Sequence, residues 1–307
     1  MQEYSWSAFF QNEWSLKASR MISLDQDTKE GILRHFPKLN RAEIVDVGCG
    51  TGLFTECLAD YYRDSSICGI DLDEELIKVA CERARGFTNK TIKYMVGDGM
   101  NLPFEDNRFD LTASHTYLTS LPDPEGGLHE MIRVTRPGGY VASISAQSFT
   151  TQTFSPGNYK KANGKTYLRY ITLRKKIEEM YMRQYPHNFY INACSAERIP
   201  QIFGLSGLQH IAMYPIGYAF SLSDSRITIE RKKSYILSFI KGEDLKLKAY
   251  ENAGLIDISQ DEVDEYRQLL SIHRQLLLDS LGENTVWEWI AGLNILMLGR
   301  KPYWMCK

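Results

Sequence analysis

A few positions in the first 120 residues have the types and spacing to do chemistry. The run Ile44–Gly52, IVDVGCGTG, leads from apolar residues straight into Gly48, Gly50 and Gly52. Glycine lets a backbone approach a ligand closely and adopt positive φ. Open α/β sheets bind ligands beyond the carboxyl ends of their strands, so this loop is the first candidate site. A dinucleotide fingerprint would put its third glycine at position 53, where Leu53 stands. Asp46, two residues before the first glycine, would repel a pyrophosphate. It would suit a ligand carrying an ammonium and a sulfonium. Asp71 closes the next apolar run, where an acid can accept from both ribose hydroxyls, as also happens in nicotinamide enzymes. Asp98 follows the third run, and Ser114 and His115 follow the fourth. His115 is the candidate general base, against the alternative of a histidine that shapes the loop. Cys49 reads as a small filler beneath the ligand rather than a nucleophile.

The elements that must position these residues alternate in type. Short apolar runs at Glu43–Val47, Ser66–Asp71, Thr91–Val96, Phe109–Ser114 and Tyr140–Ala146 read as buried parallel strands. Between the second and third, Leu76, Ile77, Ala80 and Ala84 fall on one helical face, with Asp73 as N-cap. Such alternation implies a doubly wound α/β sheet. After residue 150 the pattern changes. Residues 150–195 are polar, basic and aromatic, and 195–204 suit a short helix capped by Ser195. Leu208–Gly217 is strand-like, 227–281 is helical, and Asn294–Arg300 returns to strand character. The expected organisation is a helical lid at 1–40, a core at 41–149 and a substrate-cap insertion at 150–194. A return to the sheet at 195–226, a helical insertion at 227–283 and a final core strand at 284–307 complete it.

The run VDVGCGTG resembles the first motif of class I S-adenosylmethionine-dependent methyltransferases. Four further segments agree in order. They are GIDLDEE around Asp71, and Gly97-Asp98-Gly99-Met100-Asn101-Leu102-Pro103-Phe104 beside the family's GDA-x-x-LPF. FDLTASHTYLTSLPD at the fourth strand and RVTRPGGY before the fifth follow. The resemblance covers about a third of the chain, and its nearest flavour is the group of ubiquinone and menaquinone methyltransferases. It implies a Rossmann-like, seven-stranded, mostly parallel sheet with the last strand antiparallel, and helical insertions after strands five and six. It implies S-adenosylmethionine as cofactor and S-adenosylhomocysteine as product. The methionine part would lie on Asp46, Gly48, Cys49 and Gly50, and the ribose on Asp71 beside Leu72. Asp98, Gly99 and Met100 would hold the adenine. Ser114 and His115 would face the reacting methyl.

A sulfonium methyl is already activated, so the enzyme must mainly hold the acceptor in line. No Asn/Asp-Pro-Pro-aromatic motif, Pro-Cys pair or clustered magnesium ligands stand after the fourth strand, and no metal is expected. A small-molecule acceptor or a peptide natural product remains. Tyr117, Trp287 and Trp289 are candidates to line its pocket, against a packing role for each. His129 reads as a surface or packing residue and His273 as structural.

Composition bounds the rest. The chain has 307 residues, 43% of them hydrophobic, and a formal net charge of -2. Disorder is thereby excluded, and so is nucleic-acid coating by bulk charge. Six scattered cysteines form no CxxC pair, which favours neither zinc nor a disulfide framework. No apolar run is long enough to span a membrane and no secretory signal opens the chain, so a cytoplasmic enzyme is expected. Lys160–Arg183 holds eight Lys/Arg against two Glu. This stretch is a solvated helix face, an anion site or, as the rival enzyme reading, an RNA-methyltransferase contact. A catalytically silent cofactor-binding partner subunit is the rival from another class. The oligomeric state is not legible.

Overall fold

The computed structural model describes residues 6–86, 92–146, 151–153, 164–183, 198–281 and 289–304. In chain order the helices are α1 (Trp6–Phe9), α2 (Glu13–Ser23), α3 (Gln26–Leu33), α4 (Leu53–Tyr61), α5 (Glu74–Ala84) and α6 (Pro124–Val134). They continue with α7 (Gly164–Arg183), α8 (Arg198–Leu205), α9 (Ile229–Asn252) and α10 (Gln260–Asp279). The strands are β1 (Glu43–Val47), β2 (Ser66–Asp71), β3 (Ile92–Val96), β4 (Phe109–His115), β5 (Thr135–Ala146), β6 (Thr151–Thr153), β7 (Gln209–Ser221) and β8 (Trp289–Arg300). The chain divides into two compact units. One holds Ser23–Thr150, Asn188–Tyr218 and Gly292–Lys307; the other holds Met1–Ile22, Thr151–His187 and Ala219–Ala291.

In the first unit the strands run β3-β2-β1-β4-β5-β8, and β7 also pairs with β8. The β1, β2, β3, β4 and β5 pairings are parallel. β8 is antiparallel to β5, from Tyr140 opposite Arg300 to Ala146 opposite Asn294. This is the expected α/β sheet with an antiparallel last strand, and helices cover both faces. Residues alternate between two cores because successive side chains point to opposite faces. Val45, Val47, Ile70, Phe109 and Val141 pack with Leu128, Met131 and Ile132 of α6 and Ile199 and Phe203 of α8. Ile44, Ile67, Leu111, Ala113 and Ile144 pack with Ile32 of α3 and Phe54 and Leu58 of α4. Each fully buried aliphatic side chain contributes about 1.5–3 kcal/mol.

Local signals set the helix ends. Asp73 caps α5 as expected, accepting from Glu75 N–H at 3.0 Å and Leu76 N–H at 3.3 Å. Asp123 accepts from Gly126 N–H at 2.9 Å, with Pro124 opening α6. β5 starts five residues earlier than expected. Thr135 pairs with Phe109 and Tyr140 with Leu111, so the intervening turn loops out of register. Lys301 secures that turn. Its N–H donates to Gly139 O at 2.9 Å. Its buried ammonium donates to Ile132 O and Asn107 Oδ1, both at 2.8 Å, a cation at the carbonyl end of α6 where the helix dipole favours one.

The second unit is helical apart from β6 and the adjoining ends of β7 and β8; Thr151–Thr153 of β6 pair antiparallel with Ala291–Trp289. β6 is one strand more than the seven expected. α7 buries Tyr170, Leu173, Ile177, Met180 and Tyr181, a stripe at spacings of three and four. Tyr170 stacks on Tyr266 and on His273 of α10. Burial and the neighbouring Arg174 push His273 down to about 3, so it is neutral and structural, as expected. Phe9 meets Tyr250 of α9 with ring centroids 5.4 Å apart, and Lys241 lies 3.9 Å over the Trp14 ring. The N-terminal aromatics of this unit therefore pack on α9. Among the described residues, no helix is long and apolar enough to cross a membrane.

Candidate active site

The glycine loop hangs from β2. Gly48 N–H and Cys49 N–H both donate to Ile70 O, at 2.8 and 3.0 Å. Gly48, Gly50 and Gly52 all have positive φ, of 71°, 55° and 81°. The last is the residue before α4, so the loop empties directly into a helix N-terminus. Tyr94, from β3, supports the turn from behind. Its hydroxyl donates to Gly52 O at 3.2 Å, and a Cβ on Gly52 would overlap that hydroxyl. Nothing in the local sequence around Gly52 announces Tyr94, because the contact spans 42 residues.

Asp71 closes the loop from the side. One carboxylate oxygen accepts from Gly50 N–H at 2.8 Å and the other from Asp73 N–H at 3.0 Å. Burial raises its carboxyl above the ordinary aspartate value, and the backbone N–H groups oppose that shift. Each oxygen keeps further acceptor capacity, so the pair of acceptors fits the two hydroxyl donors of a vicinal diol. Leu72 follows it, 70% exposed, an apolar side chain held out beside two acids. Asp98 is exposed and accepts from Met100 N–H at 2.8 Å. Gly99 is buried, and Met100 packs beside Gly126 and Gly127 of α6. The segment that follows is clamped by Glu130 and Arg133, neither of which the sequence offered as a site residue. Glu130 accepts from Leu102 N–H at 2.8 Å. Arg133 donates to Leu102 O and Phe104 O, both at 2.9 Å, and to Asp106 at 2.6 Å. The signal was the acid–base pair three residues apart on α6, which also binds to itself.

Asp46 is fully buried and accepts from Thr55 Oγ1 at 2.6 Å, beneath the loop. Two placements differ from expectation. Ser114 and His115 lie on opposite faces of the sheet. Ser114 Oγ donates to Ser143 Oγ at 3.3 Å. His115 is 4% exposed and packs against Phe54 of α4, with ring centroids 5.5 Å apart. They do not face one methyl group together, because strand alternation separates them. Trp289 begins β8 opposite Thr153 and is 36% exposed. Trp287 lies outside the described residues. His129 is exposed on α6.

Cys49 is buried with Asp71 and Asp46 nearby; desolvation first, then their charge, raises its thiol well above the ordinary value. Cys57 is pushed up to about 11, mainly by burial, whereas Cys81 is exposed. Brief iodoacetamide treatment at pH 8 is therefore expected to label Cys81 and spare Cys49 and Cys57 until the protein is unfolded. Peptide mass spectrometry reads this directly, and Cys49 labelling as fast as Cys81 would refute the buried, protonated thiol.

The basic stretch is largely self-neutralised. Arg169 pairs with Glu265, Arg174 with Glu178, Lys176 with Glu262 and Arg183 with Asp257. These pairs consume most of the described cations of α7, which weakens both the RNA and the anionic-ligand readings of that helix.

Residues 45–143 match the family described as "Methyltransferase domain". A demethylmenaquinone methyltransferase of Desulfitobacterium hafniense is 34% identical over 169 residues, 54% of this chain and 65% of that protein. An uncharacterised methyltransferase of Schizosaccharomyces pombe is 36% identical over 123 residues, 38% of this chain and 43% of that one. The chain thus spans less than two thirds of either relative. A demethylmenaquinone methyltransferase of Staphylococcus carnosus is 26% identical, over 64% of this chain and 80% of its own. Among solved structures, the phosphoethanolamine N-methyltransferase 2 of Haemonchus contortus in complex with S-adenosylmethionine superposes with a TM-score of 0.52. Its identity is 18%, and the match covers 97% of this chain and 59% of that one. At that identity the likeness concerns the fold.

Proposed function

We propose that this chain, a member of the class I S-adenosylmethionine-dependent methyltransferases, transfers a methyl group to a small aromatic acceptor. The observation that carries the reading is the Asp71 carboxylate at the end of β2, held by one oxygen to Gly50 of the three-glycine loop and by the other to the Asp73 N–H at the start of α5. Asp71 binds the ribose hydroxyls, Leu72 covers the base, and Asp98 with Gly99 and Met100 holds the adenine edge. Gly48, Cys49 and Gly50 line the amino-acid end over the charge of Asp46.

S-adenosylmethionine, when bound, supplies a methyl group already activated by its sulfonium. The chain's own contribution is placement, and alignment alone can lower a barrier by about 7–11 kcal/mol. His115, buried against Phe54, serves better as a support of the strand end than as a base in contact with the acceptor. An acceptor that is already nucleophilic when it binds suits this site. The aromatic choice is supported by the relatives named for demethylmenaquinone. It is also supported by the pairing of the α7 cations, which leaves an anionic acceptor with fewer partners.

The test has two stages. Calorimetric titration with S-adenosylmethionine and S-adenosylhomocysteine is expected to give micromolar binding, about -8 kcal/mol. Labelled methyl transfer to a short-chain demethylmenaquinol is then expected to exceed transfer to phosphoethanolamine or to RNA. No binding of either nucleoside would overturn the cofactor reading. Binding with transfer only to the anionic or nucleic-acid acceptors would overturn the aromatic one.

A further inference from the structure

Tyr117 is placed by the backbone rather than by the strand. Thr116, at φ 58°, is left-handed and turns the chain out of β4, and its N–H still donates to Ile144 O at 2.7 Å. The Tyr117 ring then lies across the glycine loop. A Cβ on Gly48 would come within 2.6 Å of the ring, and a Cβ on Gly99 would overlap the hydroxyl. The family segment that Gly97–Phe104 resembles carries alanine where this chain has Gly99. The missing methyl is the space that the Tyr117 hydroxyl occupies. Burial, then Asp98, Asp71 and Glu130, push the phenol well above its ordinary value, so it stays a neutral donor. The hydroxyl is buried and has no hydrogen-bond partner among the described residues. Folded proteins keep few such groups, because each costs about 1–3 kcal/mol. Two carboxylates assigned to the nucleoside stand near it, and neither accepts its proton.

We infer that Tyr117 is a positioning residue for the nucleoside half of the cofactor, its hydroxyl donating a hydrogen bond to an acceptor atom of the bound adenosine, with Gly99 present to admit it. The inference rests on the cofactor reading above. It takes Tyr117, which the sequence offered either for the acceptor pocket or for packing, to the floor of the nucleoside site.

The test compares wild type with Tyr117→Phe, Gly99→Ala and the double variant. Calorimetry with S-adenosylhomocysteine and with 5′-methylthioadenosine, which lacks the amino-acid end, is paired with thermal melting of the ligand-free proteins. Tyr117→Phe is expected to weaken both ligands by the same factor, about tenfold, with an unchanged or higher melting temperature. Gly99→Ala is expected to weaken both and to melt lower, because its methyl displaces the hydroxyl. The double variant should melt higher than Gly99→Ala and bind no worse than Tyr117→Phe. Wild-type affinity in Tyr117→Phe would overturn the inference while leaving the cofactor reading intact. A loss confined to S-adenosylhomocysteine would place the bond on the amino-acid end and overturn the nucleoside assignment. Absence of wild-type binding to S-adenosylhomocysteine would remove the proposed function itself, and this inference with it.

Discussion

Asp71→Ala is expected to weaken S-adenosylhomocysteine binding by at least about a hundredfold. Two charge-assisted hydrogen bonds to ribose, at roughly 1.5–3 kcal/mol each, set that scale. The same substitution leaves the Gly50 and Asp73 N–H groups without the oxygens that now hold them, so the loop slackens as well. Asp71→Asn keeps one acceptor oxygen and is expected to fall between wild type and alanine. Calorimetry measures the loss, and circular dichroism checks that the fold survives. Affinity within a factor of about three of wild type would refute the assignment.

The pH dependence has a defined sign. Burial raises the Asp71 carboxyl in the folded protein, above the ordinary value of about 3.9. Only the ionised form accepts from two hydroxyls, so affinity rises with pH as the carboxyl ionises. It falls on acidification sooner than an exposed aspartate would allow. Stability of the ligand-free protein moves the other way. A raised folded-state value means that the Asp71 contribution is most favourable at low pH and is lost as pH rises through that value. Opposite trends in binding and in Asp71-dependent stability, measured as the difference from Asp71→Asn, identify this carboxylate as the cause.

Gly52→Ala is expected to lower stability by about 2–5 kcal/mol. The left-handed backbone at φ 81° costs a non-glycine residue about 1–2 kcal/mol. The new methyl also meets the Tyr94 hydroxyl and ring, and overpacking a filled site costs about 1–3 kcal/mol. Urea unfolding reads the change. Tyr94→Phe added to Gly52→Ala removes the hydroxyl overlap but not the backbone cost, so it is expected to restore part of the loss. A neutral Gly52→Ala would mean that the turn relaxes freely and that Tyr94 does not brace it.

The parts of this site that neighbour one another in sequence were legible there. β1, the three glycines and the Asp73 cap follow from local pattern, since a buried parallel strand and a capped helix each need only adjacent residues. Asp71 and Asp98 were legible as strand-end acids for the same reason. Tyr94 under Gly52, Glu130 and Arg133 around Leu102, and the Tyr117–Gly99 contact were not. Each joins residues that the sheet brings together across 18 to 42 positions, and no period encodes such a distance. Strand alternation sends Ser114 and His115 to opposite faces, a consequence of the pleat that motif matching ignores. α7 was hard to read because its buried stripe uses tyrosine and methionine among lysines and arginines, so apolar and polar periodicity blur.

β5 pairs along one edge with β4 and along the other with β8, and the β8 residues that meet it begin at Asn294. On the ribosome, β5 and β8 are made about 150 residues apart. At about 5–20 residues per second, the nascent chain carries that exposed edge for roughly 8 to 30 seconds. Its Val141, Ala142 and Ile144 are fully buried once the sheet is complete, and an open edge of this kind is a template for other strands. The Asn294–Arg300 segment of β8 is therefore a kinetic closing piece. A chain cut short before Asn294 is expected to retain every cofactor ligand named above and still be lost to aggregation.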